Sequence, residues 1–302
     1  MTKKRKIFSI LGLVIGAVLA CYLLSLVFIV LFGGVFTSLK NPNGGGNYIW
    51  GNEFGLPKGA IWEWEWANFP SVLSKLRVIL KNDARQWSVN FIGMVINTVT
   101  YTLGGAVIST MTPCLVAYAV AKCKFKFNAV IEFIVIMAMA VPVIGAYPSE
   151  IQVLKTLNLY DTWLGAAIQK MNFLGVYFLV FLATFRGISD SYAEAAYIEG
   201  AGEYRVMFTI MLPLAKNLIM TVLLMLFVQY WNDYQYPLLY LYSKPTLAYG
   251  MYYLTHLNRD TETNNDPMKM AGSSMLFVPI LVLFTCFKDT LMQNLSLGGL
   301  KE

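Results

Sequence analysis

Charge is scarce in this sequence: only 13% of its 302 residues are Asp, Glu, Lys or Arg, roughly half the ~25% usual in soluble proteins. That shortage excludes a disordered chain, a basic nucleic-acid-binding domain and a water-soluble enzyme of ordinary make. Histidine is almost missing. His256 is the only one, so no multi-His metal site can be built, and it reads as a solvated loop residue before Asn258 and Arg259 rather than a metal ligand or triad member. The four cysteines, Cys21, Cys114, Cys123 and Cys286, lack C-x-x-C spacing. That argues against a disulfide framework and a zinc site and leaves reduced thiols. No G-x-x-x-x-G-K-[ST] phosphate loop is present, so any ATP hydrolysis belongs to another protein. No H-E-x-x-H motif or paired Asp suggests an intramembrane protease.

Apolar residues, by contrast, make up 57% of the chain, and they gather into long charge-free runs of the kind that lipid requires. The reading is an all-α, polytopic membrane protein. The basic start Lys3-Lys4-Arg5-Lys6 leads into an uncharged run from Ile7 to Phe32, too long for a signal-peptide core and without an A-x-A cleavage pattern. It is expected to be a retained first span with a cytoplasmic N-terminus. Further spans are predicted at about 91–116, 129–148, 164–185, 218–241 and 270–287, six with the first at about 7–32. Six crossings return the C-terminus to the cytoplasm. Pro142 should kink or break the third span. The fourth reaches full length only if Lys170 snorkels to the outer interface. Lys122, Cys123, Lys124, Phe125 and Lys126 form a basic knot expected inside. The formal net charge of +6 is then explained by cytoplasmic Lys and Arg rather than by nucleic acid.

Residues 1–90 hold the first span and a Trp-rich external segment, which opens with turn chemistry at Asn41 to Gly46 and carries Trp50, Trp62, Trp64 and Trp66. Such clustered Trp suits a headgroup layer. From Phe69 to Trp87, Val72, Leu73, Leu76, Val78, Ile79 and Leu80 lie among Lys75, Arg77, Lys81 and Arg85. That mixture is expected to form a helix lying on the outer surface. Residues 91–302 form the core of five spans.

Between the fourth and fifth spans lies a cytoplasmic loop, 186–216. Ser191-Tyr192-Ala193-Glu194 fits a capping box. The short helix behind it should stop at Gly200-Ala201-Gly202, where glycine accepts a left-handed conformation. A second helix starts near Glu203 and places Val206, Met207, Ile210 and Met211 on one side before Pro213. The product is a helix–turn–helix elbow. Glu194-Ala195-Ala196, Gly200-Ala201, Phe208, Ile210 and Leu212-Pro213-Leu214 resemble the EAA loop of ABC importer permeases. Asn97-Thr98, Ala117-Tyr118-Ala119 with Phe125, Leu157 to Thr162, Trp231-Asn232-Asp233 with Pro237, and Gly298 to Lys301 are similar to the carbohydrate-uptake branch. Within that branch the chain looks like the six-span, maltose-type permease subunit. Glu199 stands where the family usually has Asp, and Asn217 where it usually has Pro.

The resemblance implies a type I ABC importer permease fold and a coupling helix, with Glu194, Ala195, Ala196, Glu199, Gly200 and Ala201 docking on a cytoplasmic ATPase. It also implies a second homologous permease, two ATP-binding subunits that hold ATP and Mg, an extracellular solute-binding protein, and a bacterial plasma (inner) membrane. No cofactor or metal is expected on this chain. The solute would be a sugar or oligosaccharide; a peptide, amino acid or phosphate is the alternative cargo. A secondary transporter would need charged relays within the spans, and only Asp233, Glu132 and Lys170 offer themselves. Asp233 lies ~24 Å into the fifth span at ~1.5 Å per residue. An ionisable group at that depth suggests a site, so Trp231, Asn232, Asp233, Tyr234 and Gln235 are the candidate translocation pathway. The other reading of Asp233 is a local cap near the outer interface.

Overall fold

The computed structural model describes residues 3–40, 60–82, 85–123, 125–141, 145–257 and 266–297. Asn41 to Gly46, Trp50, Lys124, Pro142, Asn258, Arg259 and the ending from Gly298 lie outside them. The chain divides into two compact units, residues 1–76 with 251–279 and residues 77–250 with 280–302.

In the first unit, helix α1 (Lys3–Ser38) turns outward an apolar surface that includes Leu13, Val18, Leu23 and Phe28. Helix α2 (Asn68–Lys75) is tied to the end of α1 by Asn68, whose buried amide donates to the carbonyls of Ser38 at 2.8 Å and Lys40 at 2.9 Å. Trp64, Trp66 and Phe69 stack in a row beside this joint, and Phe36 meets Trp64 edge-on.

Of the helix expected over 69–87, only the part to Lys75 forms, as α2. The chain leaves α2 at Leu76, which is extended, and makes an antiparallel hairpin of β1 (Arg77–Asn82) and β2 (Arg85–Asn90). Val78 faces Val89, and Leu80 faces Trp87. Val78 and Leu80 are buried while Ile79 is exposed. This period of two, carried by β-branched and aromatic residues, decides for strand.

Asn90 ends the hairpin and caps α3 (Phe91–Lys122), its side chain accepting from the Gly93 amide at 3.0 Å. Helices α4 (Asn128–Ala140), α5 (Tyr147–Thr156), α6 (Trp163–Lys170) and α7 (Val176–Gly187) follow. The elbow is α8 (Ser191–Ile198), α9 (Glu203–Val206), a π-helical stretch Met207–Met211, and α10 (Leu212–Leu214). Then come α11 (Lys216–Trp231), α12 (Gln235–Tyr240), α13 (Leu247–Tyr252) with a π-helical end Tyr253–Leu257 that includes His256, and α14 (Asp266–Leu297).

Among the described residues three helical stretches are long and apolar enough to cross a bilayer: Gly12–Ser38, Phe91–Lys122 and Asp266–Phe287. They correspond to the first, second and sixth expected spans. The other three are interrupted. Helix α4 has 13 residues and α7 has 12, each under ~20 Å long at ~1.5 Å per residue, against a core of ~30 Å. The fourth expected span, 164–185, is broken at residues 171–175. The fifth, 218–241, stops at Trp231 and restarts at Gln235.

Helix α3 is central to the second unit and packs on both α7 and α11. Phe178, Phe181, Leu182 and Phe185 of α7 recur at helical spacing and are buried with Ala106, Cys114 and Ala117 of α3. Small residues on α3 let helices approach closely; a Cβ at Gly105 would stand 3.1 Å from the Tyr230 ring. Asn97 and Thr98 tie α3 to the segment before α13. The Asn97 amide donates to the Pro245 carbonyl at 3.1 Å, and Thr98 Oγ1 accepts from the Leu247 amide at 2.8 Å.

The tightest turn precedes α6. Thr162 Oγ1 accepts from the Gly165 amide at 3.0 Å and donates to the Leu159 carbonyl at 2.6 Å. A Cβ at Gly165 would lie 2.1 Å from that same Leu159 oxygen, which is backbone and cannot move aside cheaply. Gly165→Ala is therefore expected to cost about 1–3 kcal/mol through overpacking. It should lower the thermal unfolding midpoint of the detergent-solubilised protein; an unchanged midpoint would contradict the packing described.

Candidate functional site

Two features of the second unit could do work: the elbow, and a cluster of tyrosines around Lys170. The elbow is built from its termini inward. Gly200 has φ +84°, and the chain around it closes α8 with two hydrogen bonds. Ala201 N–H reaches the Ala196 carbonyl at 2.9 Å, and Gly200 N–H reaches the Tyr197 carbonyl at 3.0 Å. This is a Schellman arrangement, with glycine at the left-handed position it favours. Tyr197 then donates to Glu203 Oε2 at 2.8 Å across the turn. Partial desolvation, and after it the Glu203 carboxylate, push the Tyr197 hydroxyl up to about 12, so it remains a donor at neutral pH.

The expected capping box does not form. Asp190 is already in helical conformation (φ −68°, ψ −19°), so Ser191 lies inside the helix. Its hydroxyl pairs instead with Ser189 Oγ at 2.8 Å. The Glu194 amide bonds to the Asp190 carbonyl at 3.0 Å, and the Glu194 side chain is left exposed. Asp190 is drawn away by a residue far off in sequence. Lys122 Nζ, at the end of α3, donates to the Ile188 carbonyl at 2.6 Å and to Asp190 Oδ1 at 2.5 Å. Its side chain is only 10% exposed. One turn earlier, Arg186 at the end of α7 forks onto both oxygens of Glu132 in α4.

Ala196, Val206, Met211, Leu212 and Ala215 are buried in the main core, matching the apolar side expected of the second helix. The bend to α11 at Ala215 is 73°. Ala195, Glu199 and Gly200 are exposed, and Ala201 is half-buried. Two large apolar side chains stand out from the tip: Ile198 is 88% exposed and Tyr204 is 81% exposed. Sequence reasoning gave neither a role, and placed Lys122 only in the basic knot expected inside.

The five pathway candidates do not converge. Trp231 is buried and stacks on Phe227. The Asn232 amide turns back to the Val228 carbonyl at 2.9 Å. Tyr234 and Gln235 are exposed. Asp233 is a local cap: Oδ1 accepts from the Tyr236 amide at 3.0 Å at the start of α12, and Oδ2 accepts from the Tyr101 hydroxyl at 2.6 Å.

Lys170 does not snorkel. It ends α6 with Nζ 4.0 Å from the Tyr230 ring centre, 4.1 Å from that of Tyr236 and 5.3 Å from that of Tyr101. Three ring faces give an ammonium a favourable electrostatic seat. Ser109 Oγ links Tyr230 (2.8 Å) to the Lys170 carbonyl (3.1 Å), and Tyr236 bonds Gln169. Beside Lys170 opens a cavity of about 310 Å³, whose lining includes Ser109, Gln169, Asn172, Tyr177, Gln229 and Tyr230. None of these residues was singled out from sequence, because the three rings come from distant segments.

A mostly helical membrane protein with an elbow buried and anchored on one side is a class shared by transport permeases. Residues 109–296 match the family model described as the binding-protein-dependent transport system inner membrane component. The chain belongs to this family, and it is a membrane transport subunit rather than an enzyme. The arabinooligosaccharides transport system permease protein AraQ of Halalkalibacterium halodurans is 27% identical over 206 residues, covering 68% of this chain and 72% of that protein. The melibiose/raffinose/stachyose import permease protein MelC of Bacillus subtilis is 26% identical over 210 residues, covering 68% and 75%. The fold is also similar to a chain in the crystal structure of a bacterial ABC transporter involved in the import of the acidic polysaccharide alginate. There the TM-score is 0.71 at 23% identity, over 96% of this chain and 98% of the other.

The elbow anchor can be tested directly. Losing hydrogen bonds from a charged donor costs about 1.5–3 kcal/mol. Lys122→Met should therefore speed amide hydrogen exchange across residues 188–200 by about ten- to a hundredfold, with α3 unchanged. Equal protection in the variant and the parent would show that Lys122 does not hold the elbow.

Proposed function

We propose that this chain is one of two membrane permeases in an ABC importer for a sugar or oligosaccharide. The names of AraQ and MelC, relatives that each align with about two-thirds of this chain, support the solute class. In this reading a homologous second permease completes the pathway, and an extracellular binding protein delivers the solute. Two cytoplasmic ATPase subunits hold ATP and its magnesium; this chain holds neither. The protein sits in the bacterial plasma (inner) membrane with both termini in the cytoplasm.

Glu194, Ala195, Ala196, Glu199, Gly200 and Ala201 form the docking helix and its turn. The observation that carries the proposal is the contrast within the elbow. One side is buried and hydrogen-bonded at its start to Lys122 at the end of α3, while the other presents Ile198, Tyr204 and the exposed Glu194. Exposed apolar side chains beside a carboxylate suit a partner's groove with a polar rim. ATP-driven approach of the two ATPases would move the elbows and, through the anchored helix ends, reorient the cavity between the permeases. Trp231 to Gln235 would lie along that route at the break between α11 and α12, with Tyr234 and Gln235 facing outward.

Glu194→Lys reverses the charge on the docking face without touching a buried contact. Membrane insertion and assembly of α3, α7 and α11 should be unchanged, and solute-stimulated ATP hydrolysis should fall at least about tenfold, the scale of one lost charge-assisted contact. Transport and stimulation at parental rates in the variant would refute the docking role.

A further inference from the structure

Lys170 carries three N–H donors, and its ammonium makes no hydrogen bond to any described residue; its neighbours are ring faces. No carboxylate pairs with it within 4.0 Å among the described residues. The charge of Asp233 acts on Lys170 from beyond ion-pair distance, while its two oxygens are engaged by Tyr101 and the Tyr236 amide. Leaving a charged donor without acceptors in a partly buried site is costly. The ring faces offset part of that cost, because a quadrupole stabilises the charge without accepting a proton. An ammonium seated in this way keeps its donors available to a ligand.

The cavity that Lys170 lines is suited to a hydroxylated solute. Its volume of about 310 Å³ lies at the lower end of the ~300–1,000 Å³ range of ligand pockets. It has room for one ring of a small solute or the end of a longer one. Ser109, Gln169, Asn172, Gln229 and Tyr230 bring hydroxyl and amide groups to the wall, and Phe173 and Phe178 supply apolar faces. Amides and hydroxyls both donate and accept, as sugar hydroxyls do, while the ammonium can only donate. The set is therefore complete for a ring bearing hydroxyls and one negative charge.

We propose that this cavity is a solute subsite in which Lys170 binds the carboxylate of an acidic sugar. The assignment rests on the importer reading and narrows its substrate class to solutes that carry a sugar acid. Tyr101, Tyr230 and Tyr236 act as positioning residues that seat the ammonium beside the cavity, whose lining includes Lys170 and Tyr230, and Asp233 acts through Tyr101.

The test uses the purified importer complex in phosphatidylcholine nanodiscs, with glucuronate, glucose and acetate as probes. Tight binders of the folded state raise its thermal midpoint. Millimolar glucuronate should raise the midpoint of the wild-type complex, while glucose and acetate should raise it less. Lys170→Met should weaken apparent glucuronate affinity at least about tenfold, the loss expected for one charge-assisted contact. Lys170→Arg, which keeps the charge, should retain part of the effect. Several results would overturn the proposal: no glucuronate shift, equal shifts with glucose, a full shift with acetate alone, or a shift that survives Lys170→Met. Loss of the shift when phosphatidylglycerol replaces phosphatidylcholine would assign the ammonium to a lipid headgroup instead. ATP hydrolysis stimulated by the binding protein, measured on the same preparation, reports separately on the importer reading.

Discussion

Lys122 ends α3 with its ammonium shared between the Ile188 carbonyl and the Asp190 carboxylate, and a lever made from the elbow depends on that contact. Without it, residues 188–190 would be a loose joint between α7 and α8. With it the elbow's first arm is fixed to α3, and α7, from which that arm leads, is braced against α4 by Arg186 forked onto Glu132. The elbow's second arm is fixed by apolar burial of Val206, Met211 and Leu212. Displacement applied at Ile198 or Tyr204 is then passed to the core, since neither arm has slack to absorb it.

The interruptions in the membrane region follow a consistent logic. Backbone that leaves a helix within lipid must find partners in the protein, and three of the described breaks do so through side chains. At the break after Trp231, Asp233 caps α12 and Asn232 bonds back to Val228. Before α6, Thr162 caps the helix against Leu159. After α6, Asn172 accepts from the Leu174 amide. The break after α6 lines the Lys170 cavity through Asn172, Phe173, Leu174 and Gly175, irregular backbone beside a polar space. The lysine that lines this cavity, Lys170, has its ammonium among three tyrosine rings.

The extent to which this was legible in the sequence differs by residue. Gly200 was readable because a glycine after an alanine-rich turn is a local signal, and its φ of +84° matches. The long uncharged runs gave α1, α3 and α14. The capping box at Ser191 failed because Asp190 adopts helical geometry while paired with a lysine 68 residues away, which no local pattern encodes. Lys170 read as a snorkelling residue for the same reason, since Tyr101, Tyr230 and Tyr236 come from other helices. The hairpin at 77–90 was missed because mixed charge and apolar residues fit both periods over so short a stretch. Alternation at Val78, Ile79 and Leu80 was the signal that could have separated them.

The most direct test of the lever is whether its tip touches an ATPase. In a variant with Cys21, Cys114, Cys123 and Cys286 replaced by serine, Ile198→Cys places one thiol at the exposed end of α8. Mass spectrometry of the active complex, treated with a short thiol-to-amine crosslinker, should find that position joined to the ATP-binding subunit. A complex that transports its solute while Ile198→Cys links to no nucleotide-hydrolysing neighbour would contradict the account.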